Sequence, residues 1–171
     1  MREVNGLKAS ESRKFKRVAP SGPDTWLTPR RTGGSAAPEY AGKSYIANAL
    51  ASDACRKLHK TLYCRMFELI SDIKHMETQR LKRRYVNPDV LVIDAFANTK
   101  MTEEDALQIF KVMEYRYGFK STIIASQVEP TEWQRNFGAS QLADSILDRI
   151  VSNAYKIILS GDSLRPKKIE D

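Results

Sequence analysis

The sequence predicts an α/β fold built on a parallel sheet, and three observations predict it. Near-continuous apolar runs occur at Asp89-Val-Leu-Val-Ile93, Ser121-Thr-Ile-Ile-Ala125 and Tyr155-Lys-Ile-Ile-Leu159. Runs of this kind suit strands covered on both faces, as parallel strands are. Between them lie segments whose apolar residues recur at helical spacing. The alternation of strand and helix implies right-handed crossovers between parallel neighbours. Such sheets take ligands at the carboxyl ends of their strands.

The elements follow in order. Residues 1–41 hold Pro20, Pro23, Pro29 and Pro38, the pair Gly33-Gly34, and basic clusters at Lys14-Phe15-Lys16-Arg17 and Arg30-Arg31. No helical or alternating period survives there, so a disordered basic tail is expected, with at most a local docking of Trp26 and Leu27. From Ser44, the residues Ile46, Ala47, Leu50, Ala51, Ala54 and Leu58 recur at helical spacing and predict a first amphipathic helix. Thr61-Leu-Tyr-Cys-Arg65 is a short strand, and Phe67, Ile70, Ile73 and Met76 mark a second helix. Its continuation is basic until Pro88 breaks the chain. Thr102-Glu-Glu-Asp105 reads as a capping box opening a helix with Leu107, Phe110, Met113 and Tyr117, ended by Gly118. A short helical turn is expected over Trp133 to Phe137. A last helix is expected over Ser140 to Val151, carrying Leu142, Ile146 and Ile150. The folded domain is thus residues 42–171.

Composition narrows the function classes. With 171 residues and 42% hydrophobic side chains the chain can form one core. No apolar run is long enough for a bilayer, and the N-terminus shows no secretory h-region. Two cysteines, Cys55 and Cys64, suit a reducing cytoplasm and are expected to be buried small hydrophobes. They are not spaced as a zinc finger, and His59 and His75 lack ligand company, so no zinc is expected. A net charge of +7 favours polyanionic partners without distinguishing among them.

Gly42-Lys43-Ser44 opens the first helix. In a P-loop, backbone N–H groups and the helix dipole surround phosphates, the Lys reaches the β- and γ-phosphates, and the hydroxyl holds Mg²⁺. The full G-x-x-x-x-G-K-S pattern is not met, because its first position is Ala37 and Tyr40 stands two residues before Gly42. The apolar strand that should precede such a loop is also missing, since Thr28 to Ala37 reads TPRRTGGSAA. An ordinary loop-to-helix junction is the competing reading. Leu91-Val-Ile-Asp94, an apolar strand ending in an acid, has the Walker B pattern, whose carboxylate serves Mg²⁺ through water. The second acid usual after it is replaced by Ala95. A methyl group cannot orient or deprotonate water, and a general base contributes on the order of 10²–10⁴-fold in rate.

The run STIIASQVEPTEWQRNFGASQLADSILDRIVSNAYKIILSGDSLRPKK, from Ser121 to Lys168, resembles the IstB-like ATP-binding family of bacterial insertion sequences, relatives of the helicase-loader ATPases. Its marks are a strand ending in Ala-Ser-Gln, a Trp, a Leu-Ala-Asp-x-Ile-Leu-Asp-Arg helix, an Asn-Ala-Tyr strand and Gly-x-Ser-x-Arg. The resemblance covers about Gly42 to Lys168. It implies a P-loop NTPase of the AAA+ type, a three-layer sandwich whose first strand is here missing or degenerate. It further implies that Gly42, Lys43, Ser44 and Asp94 bind ATP and Mg²⁺. Gln127 matches the polar sensor position, Arg149 the arginine finger and Arg165 a second sensor arginine. A surface salt bridge with Asp144 or Glu132 is the bland reading of Arg149.

Arg80, Lys82, Arg83 and Arg84 form the densest basic cluster, and the resemblance implies contact with duplex DNA by a homo-oligomer that assists a transposase. A solvated helix end is the alternative. The expected function is therefore an ATP-binding transposition helper impaired in hydrolysis, from a decayed or truncated copy. The alternatives are a non-catalytic DNA-binding protein on the same fold and a helicase-loader-like replication protein.

Overall fold

The computed structural model describes residues 25–29, 42–128, 130–138, 141–151 and 154–159. In chain order the elements are β1 (Thr25–Pro29), α1 (Lys43–Arg56), β2 (Thr61–Arg65), α2 (Met66–His75), α3 (Thr78–Leu81), a π-helical turn (Lys82–Val86), β3 (Val90–Asp94), α4 (Glu103–Arg116), β4 (Ser121–Ala125), α5 (Pro130–Asn136), α6 (Gln141–Val151) and β5 (Tyr155–Leu159). The strands form one sheet in the order β2-β3-β4-β1-β5, and every pairing is parallel. From β1 the chain crosses through α1 to β2 at one edge. It then steps inward through β3 and β4 and passes β1 to reach β5 at the other edge.

The first strand is present in a degenerate form, TWLTP, and it interrupts the tail expected over residues 1–41. Thr25 to Leu27 pair with Ile123 to Ala125 of β4, and Thr25 to Pro29 pair with Tyr155 to Leu159 of β5. Its place comes from backbone pairing on both sides, which a polar run supplies as well as an apolar one. Proline lacks the N–H that a ladder uses, and Pro29 stands where this ladder ends. The rest of the expected tail, with Ala37 and Tyr40, lies outside the described residues, as do Gly161 and Arg165.

Two cores cover the sheet. On one face, Ile46, Ala47 and Ala51 of α1 pack on Val90 and Val92 of β3 and on Ile123 and Ala125 of β4. The other face carries the larger core, in which Cys64, Leu91, Ile93 and Ile124 meet Leu69, Tyr85, Phe96, Ile109, Trp133, Phe137 and Ile146. Each strand alternates between the two faces, so a continuous apolar run feeds both cores.

Four expectations about burial change. In α2, Phe67 is exposed, and Met66 and Leu69 are buried instead. Leu58 does not extend the apolar stripe of α1: the helix ends at Arg56, and Leu58 is 92% exposed with φ at 64°. Cys55 is exposed, because it lies on the solvent side of α1. Cys64 is buried as expected, and burial pushes its thiol up to about 12. In α4 the buried stripe is Ala106, Ile109, Val112, Met113 and Arg116, whereas Leu107 and Tyr117 are exposed. Reading only apolar residues misplaced that face, since one of its members is an arginine. Thr102 caps α4, its hydroxyl accepting from the Asp105 N–H at 3.2 Å. Gly118 follows the helix at φ 76°, which a glycine adopts without strain.

Arg116 is fully buried and saturated with acceptors. Its Nη1 donates to the carbonyls of Tyr85 (3.0 Å), Val86 (3.1 Å) and Pro88 (2.9 Å). Its Nη2 donates to Ser121 O (2.5 Å) and its Nε to Thr122 Oγ1 (3.1 Å). One guanidinium therefore closes the carbonyl end of the π-helical turn and ties the lead-in of β3 to the start of β4. Arg116→Met should lower stability by about 3 kcal/mol, because several buried acceptors lose their donor together. A urea melt whose midpoint matches the parent would contradict this role. Leu58→Gly should raise stability by about 0.5–1 kcal/mol, since it relieves a left-handed residue and removes no packing. The same melt measures that gain.

Candidate functional site

The sheet brings the carboxyl ends of its strands to one edge, and α1 begins there. Gly42 is the N-cap of α1 at φ 79° and ψ 12°, a left-handed conformation that suits glycine. Its carbonyl accepts the first helical bond, from Ile46 N at 3.0 Å. Lys43, the first helical residue, is buried with 6% of its surface exposed. Burial lowers the pKa of its ammonium, and the Asp94 carboxylate partly offsets that effect. A cation withdrawn from water at the N-terminus of a helix, within electrostatic range of an acid, is the central feature of the site. Ser44 follows on the exposed side of the first turn, and its carbonyl accepts from Asn48 Nδ2 at 2.9 Å.

Asp94 is the last residue of β3. Its Oδ1 accepts from the N–H of Ala95 at 2.8 Å, and its Oδ2 accepts from the Tyr63 hydroxyl at 2.5 Å. Burial and that hydrogen bond push the Tyr63 phenol well above its ordinary range. Lys43 thus lies within electrostatic range of Asp94, and Ser44 stands at the same helix start. Hydroxyl and carboxylate oxygens are the hard donors that Mg²⁺ takes, and Mg²⁺ needs only one or two of them because it keeps several waters. The residues present fit that ion.

The turn after β3 holds strain. Ala95 and Ala97 have φ of 56° and 53°, left-handed values that cost a residue with a Cβ on the order of 1–2 kcal/mol each. The buried Phe96 between them packs on Trp133 and Phe137, with ring centroids 5.0 and 5.4 Å away. Ser126, directly after β4, fastens this turn. Its hydroxyl donates to Phe96 O at 2.7 Å and accepts from Trp133 Nε1 at 3.0 Å. Gln127 is exposed beside it, its N–H donating to Asn98 Oδ1 at 3.3 Å.

Arg149 is placed elsewhere. On α6, its guanidinium lies 4.6 Å from the Phe110 ring, donates to Ser145 O at 3.1 Å and pairs with Glu114 at 3.4 Å. The ion-pair partner is therefore Glu114 of α4, not the expected Asp144 or Glu132. Sequence separation hid it, because Glu114 is 35 residues away. The basic cluster occupies α3 and the π-helical turn. Lys82 stands 4.2 Å over the Tyr115 ring, and Arg84 pairs with Asp72 at 3.0 Å. Arg80 and Arg83 are exposed. Tyr63, Asn48 and Ser126 were not singled out in the sequence as site residues in their own right, since only strand register reveals what Tyr63 reaches.

No helix among the described residues is long and apolar enough to cross a membrane. The fold is that of the P-loop AAA+ proteins. A crystal structure of DnaI shares it at a TM-score of 0.73 and 19% identity, covering 96% of this chain and 88% of that one. The DnaC helicase loader shares it at 0.68 and 18%, covering 91% and 93%. Among curated sequences, the insertion sequence ATP-binding protein y4pL of Sinorhizobium fredii is 36% identical over 132 residues. That match takes in 75% of this chain and 54% of the relative, so the chain spans about half of that relative's length. The sequence profile described as IstB-like ATP binding protein matches residues 34–171, most of the chain. With those residues, that sheet and the similarity to insertion-sequence proteins, the chain belongs to the IstB-like ATP-binding family.

Proposed function

We propose that this chain binds ATP with Mg²⁺ at the start of α1 and serves as a helper protein in transposition, with little hydrolysis of its own. The observation that carries the reading is the burial of Lys43 within electrostatic range of Asp94 at the carboxyl edge of a parallel sheet. Such burial disfavours a lone ammonium, whereas a phosphate chain would compensate it fully. Gly42 and the first N–H groups of α1 would receive the phosphates, and Lys43 would neutralise them. Ser44 and Asp94 would hold Mg²⁺, which shields phosphate charge when bound.

Gln127 would act as the polar sensor, and its place after β4 at the same edge supports that role. Arg165 is proposed as a second sensor from the family resemblance alone. Arg149 would serve a neighbouring subunit of a homo-oligomer as an arginine finger, after leaving Glu114. That pair is partly exposed and therefore weak enough to exchange. Arg80, Lys82, Arg83 and Arg84 would meet duplex DNA, where contacts with phosphates position without reading sequence. The transposase as partner rests on the insertion-sequence relatives.

A second reading, a non-catalytic DNA-binding protein on this fold, is favoured by Ala95. Its backbone amide holds Asp94, but its side chain can activate no water. A helicase-loader role rests only on fold likeness to DnaI and DnaC.

Filter binding of labelled ATP should show retention by the parent and at least about a tenfold loss in Lys43→Ala, as removal of a charged hydrogen-bonding partner predicts. Equal retention by both proteins would remove the nucleotide site. Ala95→Asp should raise any residual ATPase rate by about tenfold, a fraction of what a well-placed base supplies. Asp suits this position better than Glu because the backbone is left-handed there. No gain in a protein that retains ATP would place the hydrolytic defect elsewhere as well.

A further inference from the structure

Tyr63 stands on β2, where its Cα pairs with that of Val92 on β3. It packs against the core shared by α1, Val90 and Val92, on the α1 face of the sheet. Successive side chains of a strand alternate between faces, so Asp94, two residues beyond Val92, faces the same way. The phenol reaches along the sheet to that carboxylate and donates to Oδ2 at 2.5 Å. On the facing helix, Asn48 Nδ2 donates to the Ser44 carbonyl at 2.9 Å.

Packing does not explain the hydroxyl. A phenylalanine would fill the same volume without a polar group that must be satisfied in a half-buried place. The hydroxyl has a geometric consequence instead. With Oδ1 fixed by the Ala95 N–H and Oδ2 by Tyr63, the carboxylate cannot rotate about its terminal torsion, which is broad when unrestrained. Each oxygen keeps lone-pair capacity for a further partner. Charge-assisted hydrogen bonds of this type are the strong ones.

We propose that Tyr63 is a positioning residue: its hydroxyl sets the orientation of the Asp94 carboxylate at the edge where Lys43 stands. The proposal rests on the nucleotide reading above for its consequence, though not for its geometry. Tyr63 acts through Asp94, so it should matter only where the metal does.

The test compares Tyr63→Phe with the parent in two measurements. In the first, ATP affinity is measured with Mg²⁺ and again with EDTA. The variant should bind ATP about tenfold more weakly with Mg²⁺ and equally without it, as expected for loss of one hydrogen bond to a charged group. In the second, the amide resonance of Ala95, which donates to Asp94 Oδ1, is followed by NMR without nucleotide. It should shift, and its hydrogen exchange should quicken, because the carboxylate is freed. An unmoved Ala95 resonance overturns the orienting role whatever ATP does. A parent protein that binds no ATP overturns the nucleotide reading, and the Ala95 resonance still decides whether Tyr63 holds Asp94. Equal weakening with Mg²⁺ and with EDTA would show a general packing role and overturn the proposal.

Discussion

Parallel pairing is the constraint on which the rest depends. It sends the carboxyl ends of all five strands to one edge, so that Asp94 of β3 and Gln127 beyond β4 lie on the side where α1 begins. Antiparallel neighbours would scatter those residues to opposite ends. The order β2-β3-β4-β1-β5 also obliges α1 to run over β3 and β4, and this brings Lys43 within electrostatic range of Asp94, far along the chain.

The two ends of the sheet are stabilised by different means. At the amino end, Arg116 gathers carbonyls from the π-helical turn and from β4 and is itself a core residue. Nearby, Asp89 joins the lead-ins of three strands, accepting from Lys60 N at 3.0 Å and pairing with Lys120 at 2.7 Å. At the carboxyl end the side chains are fewer and more specific: Ser126 locks the turn after β3, and Tyr63 and Ala95 N hold Asp94. Left-handed backbone occurs at that end at Ala95 and Ala97, next to the candidate site, and at the amino end at Leu58. Strain of this kind persists where surrounding packing over-determines it, and the buried Phe96, Trp133 and Phe137 supply that packing.

Much of the fold was legible in the residues. Continuous apolar runs disclosed β3 and β4, helical spacing disclosed α1, α2 and α6, and Thr102 with Gly118 framed α4. What escaped was determined by pairing rather than composition. TWLTP carries little strand signal, yet it lies between β4 and β5. The α4 stripe was shifted because Arg116, a charged residue, is one of its buried members. Likewise Leu58 looked like one more apolar residue of α1 until the helix ended before it.

By itself the sequence determined the alternation of strands and helices, the parallel sheet that follows, the family, and the chemical types available at the site: one lysine, one serine and one acid, with a methyl group where a second acid would stand. Apart from the family, which resemblance supplied, these are local properties, set by periodicity and by side-chain chemistry. Only the tertiary structure decided which strand lies beside β4, that Lys43 is withdrawn from water within electrostatic range of Asp94, that Tyr63 holds that carboxylate, and that Arg149 rests on Glu114 and Phe110. Those are contacts between distant residues. Their geometry depends on strand order and register, which periodicity does not encode.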